Sequence, residues 1–421
     1  MNKGLLNKIL ITLAFLFAYR ILAFVPVPGV NSAVIADFFN KNSSNAFGLF
    51  NMFSGGAAER FSIISLGIMP YITASIIMEL LASTFSSIGK MKKERDGMQK
   101  YMQIIRYATI VITLLQSIGV SIGLQGLHSQ NGQGAIMIEN LNLFIMLSAI
   151  SMLAGTMLLV WLGEQITQRG IGNGISLIIF AGIVSGIPSA ISGTVELINT
   201  GEMNFLKAVA ILAIILLTIG VVIYVELGER RIPVSYSRKV IMQNQNKRIM
   251  NYIPIKLNLS GVIPPIFASA LLMFPATIFQ TSTNEYIRKI NDILHPDGYL
   301  FHILTFLFVI FFAYFYASIV FNTKDIAENL KKQGGFIPGL RPGEGTMNYL
   351  NEVASRLTLS GSIYLGLIAT LPWVLVKLIG VPFYFGGTSV LIVVQVALDT
   401  MRKIEAQIYM NKYQTLSAVK L

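Results

Sequence analysis

The sequence predicts an all-α polytopic membrane protein, with ten transmembrane helices in two inverted five-helix halves around a hollow interior. Three observations predict it. Of 421 residues, 54% are hydrophobic and 12% charged, against about 25% charged in an average soluble domain; no soluble core could hide that much apolar surface. The basic residues fall overwhelmingly on one side of the apolar windows. Finally, Phe50–Glu79 is too apolar for water and too interrupted for a straight span. It holds Asn51-Met52-Phe53-Ser54-Gly55-Gly56, the charges Glu59 and Arg60, and Pro70. Non-helical backbone at membrane depth survives only where protein or a water-filled cavity satisfies it, so this segment is expected to dip into the interior.

Windows of about 20 residues place the spans near 9–25, 63–84, 104–124, 141–162, 175–195, 207–227, 260–280, 301–321, 358–378 and 384–401. The fourth and eighth are free of charge. The first carries Arg20, and the fifth is rich in glycine and serine. The first apolar run leads into Pro26-Val27-Pro28-Gly29 rather than a small-residue cleavage site, so the span is expected to be retained. With the amino terminus inside, every Lys and Arg faces the cytoplasm except Lys41, Arg60, Lys207, Arg288, Lys289 and Lys377 outside, and Arg20 within a span. That asymmetry sets both termini in the cytoplasm. Ten spans with both ends inside divide five and five, the second set running opposite to the first. The N-terminal half is expected over 1–227 (first repeat about 1–200, second repeat beginning with the sixth span). A basic cytoplasmic loop follows at 228–258, then the C-terminal half at 259–421, with a further inner loop at 322–357.

The inner loops carry the first motifs. In Gly334-Gly335-Phe336-Ile337-Pro338-Gly339-Leu340-Arg341-Pro342-Gly343-Glu344, glycines allow unusual backbone angles and prolines stiffen the remainder, presenting Arg341 on a preformed turn. By composition alone this reads as a solvated basic loop. Arg and Lys at 228–258 suit nucleic-acid backbones or acidic protein surfaces, and few aromatics accompany them for base stacking. Gly170-Ile171-Gly172-Asn173-Gly174-Ile175-Ser176 lacks the lysine and preceding strand of a phosphate loop, and reads as a tight helix entry. Gly119-Val120-Ser121-Ile122-Gly123 and Gly182-Ile183-Val184-Ser185-Gly186 fit the nucleophile-elbow spacing but lie inside spans, where small residues serve helix packing.

No enzyme chemistry and no cofactor are expected. Cysteine is absent, which excludes disulfides and thiolate sites. His128, His295 and His302 lack metal-ligand spacing, and no Gly-x-x-x-x-Gly-Lys-Ser/Thr loop is present, so any driving energy comes from a partner. The alternative class is an ion-coupled secondary transporter with an inverted-repeat fold, which needs ionisable groups at mid-membrane. Glu79, Glu164, Glu226 and Asp399 instead fall near the cytoplasmic ends of spans.

Several strings resemble the SecY/Sec61-alpha family, which forms the channel of the Sec protein translocase. They are Asn51 through Ala57, Leu66-Gly67-Ile68-Met69-Pro70-Tyr71-Ile72, Trp161 through Thr167, Gly170 through Ser176, Phe336 through Glu344 and Pro382 through Ser389. The resemblance covers essentially the whole chain. It implies a central pore closed by a short re-entrant plug helix at about 47–61, including Asn51, Met52, Phe53, Ser54, Gly55 and Gly56. It implies a constriction of Ile68, Ile72, Ile175, Ile179, Ile266 and Ile392, a ring of branched side chains that resists wetting. A lateral gate would lie between the spans at 63–84 and 260–280, near Thr73, Ser75, Phe274 and Pro275, with prolines bending both helices. Arg230, Arg231, Arg238, Lys239 and Arg341 would dock the SecA ATPase or the ribosome. The implied partners are SecE and SecG, signal peptides, unfolded preproteins and membrane lipids, and the implied location is the cell inner membrane. The implied function is to pass secretory proteins across the membrane and release membrane segments sideways into lipid.

Overall fold

The computed structural model describes residues 3–41, 51, 54–124, 134–201, 203–236, 251–279, 298–379 and 387–418. In chain order the helices are α1 (Lys3–Leu22), α2 (Ser32–Lys41), α3 (Met69–Thr84), α4 (Ser86–Lys93), α5 (Arg95–Gly123), α6 (Leu141–Arg169), α7 (Gly174–Asn199) and α8 (Phe205–Leu227), followed by α9 (Ile263–Phe279), α10 (Tyr299–Val320), α11 (Thr323–Lys332), α12 (Glu344–Ile379) and α13 (Gly387–Ala418). Each of the ten predicted spans coincides with one of them: α1, α3, α5 to α10, α12 and α13. Among the described residues, seven helices are long and apolar enough to cross a membrane, or eight if α3 and α4 count as one broken span. In α9 the described apolar stretch is shorter, Ile263–Leu272. In α13 the apolar residues give way to Asp399, Arg402 and Lys403.

Local chemistry sets the ends. Asn173 caps α7, its side chain accepting from the amides of Ile175 and Ser176, and Asn204 caps α8 in the same manner, as expected of side chains that satisfy free amides in a first turn. The α3–α4 pair bends by 115° at Phe85, whose backbone is extended. Pro70 occupies the first turn of α3, and Pro264 and Pro265 follow the first residue of α9. Their missing amides fall where none would be bonded. Pro70, Pro264 and Pro265 therefore start helices instead of bending them, which corrects the kinks expected at those three; Pro275 lies in the interior of α9, as Pro188 does in α7 and Pro372 in α12.

The two halves meet along two seams. On one, α9 packs against α3 and α5; on the other, α13 packs against α7. A single apolar core spans both, drawing on α1, α3, α5 to α10, α12 and α13. A second cluster gathers Val27, Ile35, Phe61, Leu66, Phe144 and Met152 beneath the turns after α1.

The all-α expectation needs one correction. Within 228–258 and the 322–357 loop, three strands form an antiparallel sheet of order β2-β1-β3: β1 is Glu229–Tyr236, β2 Asn251–Lys256 and β3 Gly335–Phe336. Ile232 faces Ile253 across the β1–β2 ladder and Arg231 faces Pro254. Ile232 and Val234 are buried while Arg231 and Pro233 are exposed. This alternation gives the sheet a small core of its own, completed by Ile255, Leu330, Ile337 and Leu350.

Candidate pore, gate and docking site

The expected plug segment is held by its backbone. Met52 and Phe53 lie outside the described residues. Asn51 is helical, but residues 54–61 form successive turns in place of the expected helix. Gly55 and Gly56 sit at φ +70° and +78°, a region that ends a right-handed helix and that glycine enters without steric cost. Asn51 and Glu59 close the turn on itself. The Asn51 amide donates to Glu59 Oε2 at 2.9 Å, and the Glu59 backbone amide donates to Asn51 Oδ1 at 3.0 Å. Ser54 Oγ donates to the Asn51 carbonyl and accepts from the Ala58 amide. The chain then runs antiparallel to the segment after α1, where Val27 N donates to Phe61 O and Ile63 N to Val25 O.

Two adjacent residues in the last turn of α1 grip this turn, and no motif of the sequence pairs them. Tyr19 Oη donates to the Ser54 carbonyl at 3.2 Å. Arg20 Nη1 donates to the Gly55 carbonyl at 2.6 Å and to Ser185 Oγ at 3.1 Å. The available signal was Arg20 itself, since an ionisable residue within a span is a mark of function.

The six isoleucines come from the starts of four helices. Ile68 precedes α3 and Ile72 lies in its first turn. Ile175 and Ile179 are one turn apart at the start of α7, Ile266 opens α9, and Ile392 is near the start of α13. The structure brings them into one apolar core: five are buried members, Ile392 at 1% exposure and Ile68 at 3%, and Ile175 packs against it. Thr73 and Ser75 are half-buried on α3, with Thr73 Oγ1 donating to the Met69 carbonyl at 3.1 Å. Phe274 and Pro275 lie on α9, the helix that packs on α3; their side chains fall outside the described ones.

On the sheet, Arg230 and Arg231 are exposed. Arg231 pairs with Glu229 at 2.7 Å and lies 4.9 Å from the centre of the Tyr252 ring. Arg238 and Lys239 lie outside the described residues. Arg341 is exposed on a turn flanked by Gly339 (φ +84°) and Gly343 (φ +100°). Buried Ile337 anchors that turn in the sheet's core, and Thr346 Oγ1 donates to the Arg341 carbonyl at 3.2 Å. Between β1 and α12, a cavity of about 220 Å³ is lined by Arg230, Tyr349, Glu352, Val353, Arg356 and Leu357.

Of the acidic residues near span ends, Glu79, Glu164 and Glu226 have partners. Glu79 meets Lys92 at 2.8 Å. Glu164 receives Arg106 through Nε and Nη2, at 2.8 to 3.0 Å, the forked geometry that a guanidinium and a carboxylate favour. Glu226, 4% exposed, accepts from Asn258 at 2.6 Å. The Gln395 amide, its nitrogen turned toward Glu226, donates to both carboxylate oxygens at 2.5 and 3.2 Å. Among the described residues, no group of three His, Cys, Asp or Glu could hold a metal ion.

An apolar core joined by the starts of four helices, a glycine-rich turn gripped by α1 and α7, and a basic sheet built from two loops fit one class: a multi-pass helical membrane protein of the channel type. The SecY family model matches residues 62–401, and the chain belongs to that family. It is 70% identical over 420 residues to the protein translocase subunit SecY of Helicobacter pylori, with 100% of each chain covered. Among solved structures it is similar to a SecY protein whose plug domain stabilises the closed state of the translocation channel and maintains a membrane seal. That match has a TM-score of 0.68 at 20% identity and covers 96% of this chain and 93% of that one. It is also similar to Sec61 in a canine ribosome–channel complex from the endoplasmic reticulum, with a TM-score of 0.64, 18% identity and the same coverage.

Proposed function

We propose that this chain is the protein-conducting channel subunit of a translocase in the cell inner membrane, with both termini in the cytoplasm. Unfolded preproteins pass between its two halves, and apolar signal or membrane segments leave sideways into lipid between α3 and α9. The observation that carries the reading is the burial of all six helix-start isoleucines in or against one core that joins the halves. Branched apolar side chains at a waist exclude water and ions at rest and yield to a passing chain.

The chain supplies no catalytic step. Its tasks are positional: Ile68, Ile72, Ile175, Ile179, Ile266 and Ile392 seal, residues 51–61 plug, and Thr73, Ser75, Phe274 and Pro275 border the exit. Arg230, Arg231, Arg238, Lys239 and Arg341 receive the SecA motor or the ribosome, and SecE and SecG complete the complex.

The test is ATP-driven uptake of a signal-bearing preprotein into vesicles holding this chain with SecE, SecG and SecA. Single cysteines replace Ile68, Ile175 and Ile266 in a chain that has no other thiol. Uptake together with crosslinks from all three positions to a stalled preprotein is expected. Uptake without those crosslinks removes the pore from this waist.

A further inference from the structure

We infer that Tyr19, Arg20 and Ser185, seated over Gly182, form a latch that holds the Ser54–Gly55 turn in place and sets how readily the pore opens; this rests on the reading of residues 51–61 as the plug. Arg20 lies in the last turn of α1, in a stretch otherwise free of charge from Ile9 to Leu22. Among the described residues it makes no ion pair with a carboxylate. Its guanidinium donates to the Gly55 carbonyl at 2.6 Å and to Ser185 Oγ at 3.1 Å, with the Phe24 ring centre 5.0 Å from its carbon. Ser185 Oγ accepts from Arg20, donates to the Gly182 carbonyl at 2.7 Å and lies 3.5 Å from the Gly55 carbonyl, within reach of the turn itself. Tyr19, 2% exposed, adds the bond to the Ser54 carbonyl.

All these donors reach backbone carbonyls or each other, so the grip depends on the path of the turn and not on its side chains. That path needs close approach. A Cβ at Gly55 would lie 2.9 Å from Gly182 Cα and would also strike the Tyr19 hydroxyl. A Cβ at Gly182 would lie 3.0 Å from that hydroxyl and 3.4 Å from Gly55 Cα. Two glycines back to back thus let α7 touch the turn, while α1 supplies the donors. A hydrogen bond from a charged donor is roughly twice as strong as a neutral one, which makes Arg20 the main catch and Tyr19 and Ser185 the lesser ones. If the turn leaves, Arg20 faces the opened vestibule, where water solvates it, so the latch is reversible.

The experiment records resting ion conductance of the purified complete complex in planar bilayers. Arg20→Gln is expected to raise the frequency of spontaneous openings about tenfold, Tyr19→Phe and Ser185→Ala about two- to fivefold, and Arg20→Lys less than Arg20→Gln. A deletion of residues 51–59 provides the epistasis arm: in that background Arg20→Gln is expected to add nothing, because the latch has nothing left to hold. If the deletion leaks and Arg20→Gln in the intact chain behaves as wild type, the latch is overturned and the plug stands. If Arg20→Gln adds its full effect to the deletion, Arg20 acts on the helix frame and the latch is likewise overturned. If the deletion itself does not leak, the plug reading fails and the latch with it.

Discussion

Asn258 Nδ2 lies 2.6 Å from Glu226 Oε1, and both residues are almost fully buried. Asn258 also donates to the Gly261 carbonyl and accepts from Ser260 Oγ, while Gln395 reaches Glu226 from α13. One carboxylate therefore ties the end of α8, the link between β2 and α9, and α13 three residues after Ile392. The sheet and the apolar core share this knot.

Replacing Asn258 by Leu leaves the buried carboxylate short of a donor. We expect a loss of about 1–3 kcal/mol, read as a lower midpoint of thermal unfolding in detergent. The Glu226→Leu/Asn258→Leu pair should lose less than Asn258→Leu alone, because removing both partners leaves no charge stranded. A double variant as unstable as the single one would show that the knot contributes nothing beyond packing.

At the waist, Ile68→Asn and Ile392→Asn should each raise resting ion conductance, since a polar side chain wets a constriction that branched apolar groups keep dry. Ile68→Val should not. Conductance unchanged in both asparagine variants would place the seal elsewhere.

Arg341 is exposed, and its hydrogen bond from Thr346 is made through its backbone carbonyl. Arg341→Glu should keep complex assembly and unfolding temperature within about 0.5 kcal/mol of wild type, yet reduce SecA-driven preprotein uptake by more than tenfold. Normal uptake in this variant would remove Arg341 from the docking surface.

Gly174 approaches the Gly163 backbone so closely that an added Cβ would overlap the Gly163 carbonyl, and Gly186, in the same helix, has open space. Gly174→Ala should destabilise by about 1–3 kcal/mol through overpacking. Gly186→Ala should be neutral or slightly stabilising. Equal unfolding midpoints for the two would contradict the close α6–α7 contact.

The spans were legible because a membrane helix needs little more than an unbroken apolar window, and even the weak first and fifth windows became α1 and α7. The sheet was not legible. Pro233 in the central strand, paired with Tyr252, and the run Glu229-Arg230-Arg231 disguise an alternation that only Ile232 and Val234 carry. Proline normally argues against a central strand. The proline kinks were misjudged for a different reason. Pro70, Pro264 and Pro265 bend a helix only if it has already begun, and window averages do not locate the first turn. Arg20 stood out in the sequence, but as a flaw in a span; its partners are 35 and 165 residues away, beyond any local pattern. The choice of six isoleucines came only through family resemblance, since periodicity does not single them out among so many apolar neighbours.

The continuity of α12 has a mechanical result. It runs unbroken for 36 residues, about 54 Å at 1.5 Å per residue, and begins three positions past Arg341. The stretch from Glu344 to Pro372, the proline inside the helix, holds no other such break behind the exposed tip at Arg341. Torque applied at that tip is carried as by a mast as far as Pro372 and handed sideways to α10 and α13, the helices it leans on.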